Sequence, residues 1–163
     1  SDRIAVMSEG HIMEIASPAQ LYENPSSRFV ADFIGSMNFF LGEVTKSEND
    51  KLRISTSSIG DIDIQSSNSK FSIRSPVWVA IRPEKLKPLF SAPDDLSNVI
   101  EGVIGPSAYL GDRSHFYVKL SNREEPVLVA LQNLERSGEM LSGNNQRVWL
   151  KWSSDALVVL PRD

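Results

Sequence analysis

Few residues in this 163-residue chain could do chemistry. Two histidines, His11 and His115, with no cysteine, fall short of a three-histidine or thiolate metal site. Without a partner motif, both read as structural or exposed. A Ser/His/Asp triad would need a nucleophile elbow, and no Gly-x-Ser-x-Gly occurs. Lys46-Ser47 follows Thr45 without the upstream glycines that let a backbone cradle phosphates. Asp61 and Asp63 alternate with Ile62 and Ile64, which puts the carboxylates on one solvated strand face. Asp94-Asp95 follows Pro93 and reads as a loop. No constellation here supports a complete catalytic apparatus.

Trp78, Phe116, Tyr117, Trp149 and Trp152 are the residue types of a stacking platform for single-stranded nucleic acid. Trp78, however, lies in the all-apolar run 77–81 and is expected in the core. In the segment 147–152, Arg147, Trp149 and Lys151 share one face, and Val148, Leu150 and Trp152 share the other. Arg82-Pro83-Glu84 is more distinctive. Pro83 cannot donate to a sheet ladder, so the strand stops there, and Arg82 and Glu84 are placed to anchor the segment that follows by charge-assisted bonds. Tyr109-Leu110-Gly111-Asp112 reads as a strand end turning through Gly111 toward a strand at His115. Both are architectural signals.

The elements that must carry these residues are mostly strands. Net charge is −4 with a pI of about 5.2, which argues against a nucleic-acid scaffold and against a face laid on anionic lipid. No apolar run approaches the roughly 20 residues that span a bilayer, and no signal-peptide pattern opens the chain. The first residues run at once into a strand-like segment without an initiator Met, which we read as an internal cut. Residues 4–7 and 11–15 flank Gly10 as a hairpin. Ser17 suits an N-cap and Pro18 the first helical position, with a stop before Pro25. Phe29, Val30, Phe33 and Ile34 recur at helical spacing in a second short helix that ends at Gly35. From there the pattern changes to short strands, expected at 39–44, 52–55, 62–64, 77–81, 99–104, 115–120, 127–131, 148–152 and 157–160, separated by Ser/Asn/Asp/Gly-rich turns. Such spacing implies a small barrel or sandwich.

Read in order, Asp2-Arg3-Ile4-Ala5-Val6-Met7, Gly10-His11-Ile12, Ser17-Pro18, Leu21-Tyr22-Glu23-Asn24-Pro25 and Phe29-Val30-Ala31-Asp32-Phe33-Ile34-Gly35 resemble the tail of an ABC-importer ATPase domain. Val79-Ala80-Ile81-Arg82-Pro83-Glu84-Lys85 and Tyr109-Leu110-Gly111-Asp112 resemble the transport-associated OB-like (TOBE) domain that follows it. The resemblance covers nearly the whole chain. Ser107-Ala108-Tyr109-Leu110-Gly111-Asp112, Ala130-Leu131-Gln132-Asn133 and the ending from Trp152 to Leu160 are most similar to the polyamine importers of the putrescine/spermidine type; maltose-, iron- and sulfate-type importers share the architecture.

The resemblance implies a mainly β fold. An OB-like β-barrel or sandwich of the TOBE type would occupy 37–163, and 1–36 would be a hairpin-plus-two-helix remnant of an α/β ATPase domain. The family's ATP-handling motifs would all precede Ser1, and His11 is not its switch histidine. The fragment would therefore have no catalytic, nucleotide-binding or metal residue and no cofactor, while the parent subunit would use ATP and Mg. Partners implied are a second copy of the ATPase subunit and membrane-spanning permease subunits, with no nucleic acid and no direct membrane insertion. The implied location is cytoplasmic, peripheral on the inner face of the bacterial plasma membrane. Arg82, Pro83, Glu84, Tyr109, Leu110, Gly111 and Asp112 become structural or interface candidates, and a small-ligand-binding OB-like module is the alternative. Ile4, Val6, Ile12 and Ile15 are expected to pack against a sheet outside this chain, which would leave 1–16 poorly ordered or paired with another chain.

Overall fold

The computed structural model describes residues 2–65, 71–104, 115–130 and 145–162. Strands β1 (Ile4–Ser8) and β2 (His11–Ala16) form an antiparallel hairpin, turned by Glu9 and by Gly10 at φ +80°. Helix α1 (Pro18–Glu23) begins with a capping box: the Gln20 amide donates to the Ser17 hydroxyl, and the Ser17 amide donates to the Gln20 side chain. Helix α2 (Arg28–Ile34) is capped by Ser27, whose hydroxyl accepts from the Val30 amide.

The remaining strands are β3 (Asn38–Glu48), β4 (Lys51–Thr56), β5 (Asp61–Gln65), β6 (Pro76–Ile81), β7 (Lys87–Leu89), β8 (Val99–Ile104), β9 (His115–Lys119), β10 (Val127–Ala130), β11 (Gln146–Lys151) and β12 (Val158–Pro161). They form two five-stranded antiparallel sheets, ordered β12-β6-β3-β4-β5 and β10-β9-β8-β11-β7. The fold is mainly β, as the strand spacing predicts.

Strict alternation explains the packing. Leu52 and Ile54 of β4 stand opposite Ile64 and Ile62 of β5 on the inner face, while Arg53 stands opposite Asp63 on the outer face. The second sheet answers with Phe116, Val118, Val127, Val129, Val148 and Leu150, closing one core between the sheets. Asn38, only 3% exposed, joins the two sheets: its Nδ2 donates to the Leu128 carbonyl at 3.0 Å, and the Leu128 amide donates back to Oδ1 at 2.8 Å. Arg123 adds a second tie, Nη1 donating to the Phe39 carbonyl at 2.8 Å.

Three expectations change. Trp78 is not in the main core. Val77, Val79 and Ile81 take the inward positions, which turns Trp78 to the outer face, where it packs beside Phe39, Ala80, Leu160 and Ala31 of α2. Ile4 and Val6 do not wait for an outside sheet either: β1 packs on Leu21 and Val30 of the two helices, so residues 4–16 form a seated hairpin. Ile12 and Ile15, on the other hand, are 57% and 45% exposed, alongside Met7 and Met13. Finally, β7 falls where no strand is expected, because its three residues carry too short a pattern to read.

Candidate functional site

Arg82 is the most committed polar side chain in the described structure. It is the last residue before the turn Pro83–Lys85, in extended backbone, and is 3% exposed. Inward alternation along β6 ends at Ile81, and Pro83 then fixes the chain so that the Arg82 side chain leaves the sandwich toward the helices. Its Nη1 donates to the carbonyls of Ala31 (3.2 Å), Gly35 (3.0 Å) and Ser36 (3.0 Å), and its Nε and Nη2 donate to the Tyr22 carbonyl at 3.4 and 3.1 Å. The guanidinium carbon also stands 4.2 Å from the Tyr22 ring centroid.

Tyr22 and Ala31 lie in the last turns of α1 and α2, where the helix dipole favours a cation, and the Ala31 carbonyl also accepts from the Gly35 amide at 3.4 Å. Arg82 thus fastens the C-terminal ends of α1 and α2 together and to the sandwich. Burial lowers its affinity for the proton from the ordinary arginine value, and nearby Tyr22 and Glu84 work in the opposite direction.

The next residues repeat the contact. The Tyr22 hydroxyl donates to the Glu84 carboxylate, and Lys85 Nζ lies 3.8 Å from Glu23 Oε2. Burial, followed by the Glu84 hydrogen bond and charge, pushes the Tyr22 hydroxyl from 10.0 up to about 12. Pro83 is itself buried. Arg82 and Glu84, expected to anchor the segment that follows, make these bonds to residues that precede them. Their partners are the helix pair and the two residues after it, some 46 to 62 residues earlier.

Tyr109, Leu110, Gly111 and Asp112 lie outside the described residues, so Arg82, Pro83 and Glu84 are the expected candidates the structure brings together. Sequence reasoning missed Tyr22, Glu23 and Asn38. Tyr22 and Glu23 were legible only as parts of a helix ending before Pro25. A lone Asn38 opening an apolar strand carries no signal that its side chain will bridge sheets.

Comparison with known proteins places the chain in a family. The family model described as "TOBE domain" matches residues 79–160, just over half of the chain, and the chain belongs to that family. Over most of its length it is also similar to ATP-binding proteins of polyamine import. It is 32% identical over 161 residues to the spermidine/putrescine import ATP-binding protein PotA of Thermobifida fusca, covering 99% of this chain and 41% of that one. Against the Nostoc PotA it is 38% identical over 123 residues, covering 75% and 32%. Against the putrescine transport ATP-binding protein PotG of Escherichia coli it is 33% identical over 158 residues, covering 97% and 42%. The chain thus spans from just under a third to just over two fifths of the length of these relatives. Among solved structures, the cytoplasmic molybdate-binding protein ModG aligns with a TM-score of 0.53 at 11% identity, over 77% of this chain and 96% of that one, a likeness of fold alone.

Proposed function

We propose that this chain is the C-terminal regulatory and assembly region of the ATP-binding subunit of a polyamine importer. In this reading, residues 37–163 form the regulatory sandwich and residues 1–36 close the ATP-binding domain, whose remaining part binds ATP and Mg. Two such subunits pair on the cytoplasmic side of membrane-spanning permease subunits, and this chain contributes no catalytic residue of its own. The observation that carries the reading is the Arg82 clamp, which makes the helix pair and the sandwich one body. A sandwich so fastened moves with the helices, and so can set the geometry in which two ATP-binding domains meet. The exposed apolar face of the hairpin, Met7, Ile12, Met13 and Ile15, is the surface this reading gives to the ATP-binding part.

A chimera tests it. The matching C-terminal part of the Thermobifida fusca relative is replaced by this chain, and ATP-dependent uptake of labelled putrescine and spermidine is measured in cells carrying that relative's permease. The expected result is uptake within about tenfold of the parent subunit, a loss of no more than ~1.4 kcal/mol in coupling, from a chimera that sediments as a dimer with ATP. A folded, assembled chimera that imports neither polyamine would overturn the reading.

A further inference from the structure

The two sheets differ in what lies on their outer faces. Helix α2 seats on the first, where Ala31 packs beside Trp78, Ala80 and Leu160. The clusters that the hairpin and helices join contain no residue of the second sheet, β10-β9-β8-β11-β7. Strand register lays the outer face of that second sheet out as a grid. Lys87 of β7, Lys151 of β11 and Val99 of β8 form one row, and Leu89, Trp149 and Glu101 the next. Arg147 and Val103, followed by Lys119 of β9, form the third. The alternate positions Val148, Leu150 and Val118 point into the core. Trp149 sits at the centre, half-buried, with the Arg147 guanidinium carbon 5.2 Å from its ring centroid.

The charges on this grid are out of balance. Lys87 and Lys151 are direct cross-strand partners, an arrangement that costs a free sheet stability because like charges face each other. Neither they nor Lys119 make an ion pair among the described residues. Glu101 is the one carboxylate in the grid, and Arg147 takes it at 2.9 Å. Beside the grid, Asp95 lies below the usual carboxylate range because the Ser97 hydroxyl and amide donate to it, with a smaller contribution from Lys151. Four cations thus meet two carboxylates, in a chain whose net charge is −4. That excess selects an anionic occupant. A second copy seated symmetrically on this face would set cations against cations. A lipid surface would need exposed apolar side chains to bury, and Leu89 and Trp149 are half-buried. A nucleic-acid strand stacks successive bases on several rings, and the grid holds one. An apolar centre with an arginine and a tryptophan inside a charged rim is the composition of a protein interface. We propose that this face docks an acidic segment of a partner protein, its carboxylates meeting Lys87 and Lys151 and an apolar side chain laid on Trp149. The inference stands apart from the importer reading, since nothing in it depends on ATP or polyamine.

The test is fluorine NMR of the protein labelled with 5-fluorotryptophan, titrated with a synthetic decapeptide alternating glutamate with leucine. The Trp149 signal, assigned through Trp149→Phe, is expected to shift while those of Trp78 and Trp152 stay. Lys87→Gln combined with Lys151→Gln should weaken binding about fivefold or more, the scale of two exposed charge contacts. Lys87→Gln alone relieves the like-charge pair and should leave the free protein at least as stable as wild type, so that weaker binding is not a sign of unfolding. Absence of a Trp149 shift at millimolar peptide, equal binding of a peptide with lysine in place of glutamate, or unchanged affinity in the double variant would each overturn the proposal. So would tighter binding of oligothymidylate or of phosphatidylglycerol vesicles, which would give the face to a nucleic acid or a membrane.

Discussion

Among the described residues, three arginines rest closest on aromatic rings, at 4.2 Å for Arg82 on Tyr22, 4.5 Å for Arg123 on Phe40 and 4.2 Å for Arg28 on Trp78. Their remaining contacts separate them. Arg82 spends its fork on main-chain carbonyls, Arg123 divides its own between the Phe39 carbonyl and Glu125, and Arg28 has no hydrogen-bond acceptor among the described residues. The Tyr22 hydroxyl beside Arg82 makes the joint sensitive to alkali. Its value in the folded protein, about 12, lies above the ordinary 10.0, so the stability it confers is complete below pH 10 and fades as pH rises from 10 toward 12. Tyr22→Phe removes the hydroxyl that bonds Glu84. The gap in thermal midpoint between wild type and Tyr22→Phe should therefore be constant up to about pH 9.5 and close by pH 12; a gap that persists or widens at pH 12 would contradict this.

Elements behaved much as their patterns dictate. Capping residues Ser17 and Ser27, the stop before Pro25 and the alternation along β4 and β5 were legible because each is a local rule with a local cause. Trp78 was misread because an all-apolar run does not say which face of a strand meets the larger core. The direction in which Arg82 reaches was hidden because its partners are carbonyls, which every residue carries. Close backbone approach was equally silent in the sequence. A Cβ on Gly102 of β8 would stand 2.5 Å from Val118 Cγ1 and 3.0 Å from the Lys119 carbonyl, whereas one on Gly35 would meet Arg82 and Tyr22 atoms at an ordinary 3.7 Å. Gly102→Ala should accordingly cost about 1–3 kcal/mol by overpacking the β8–β9 pair, and Gly35→Ala under about 1 kcal/mol. Urea unfolding of the two variants, read at constant m-value, distinguishes these outcomes; equal costs would show that β8 yields more easily than its packing implies.

At the scale of the molecule, two sheets closed by Asn38 and Arg123 hold one core, and the hairpin and helices form a second, smaller cluster around Val6, Leu21 and Val30. Among the described residues a narrow set of groups joins them: the Arg82 fork, the Tyr22–Glu84 bond, the exposed Lys85–Glu23 pair, the exposed Arg28 stacked on Phe39 and Trp78, and Ala31 packed beneath Met37 and Phe39. An exposed ion pair adds little, so the joint rests on the buried guanidinium. Breaking it leaves buried carbonyls unanswered, at about 3 kcal/mol or more.

The measurement that bears most directly on this account is amide hydrogen exchange of Arg82→Met beside wild type. Loss of the clamp should strip protection from the amides of α1 and α2 while β4, β9 and β11 exchange as before, because the helices would then open without unfolding the sandwich. Unchanged protection of α1 and α2 in a folded Arg82→Met protein would show that something other than Arg82 binds the helix pair to the sandwich.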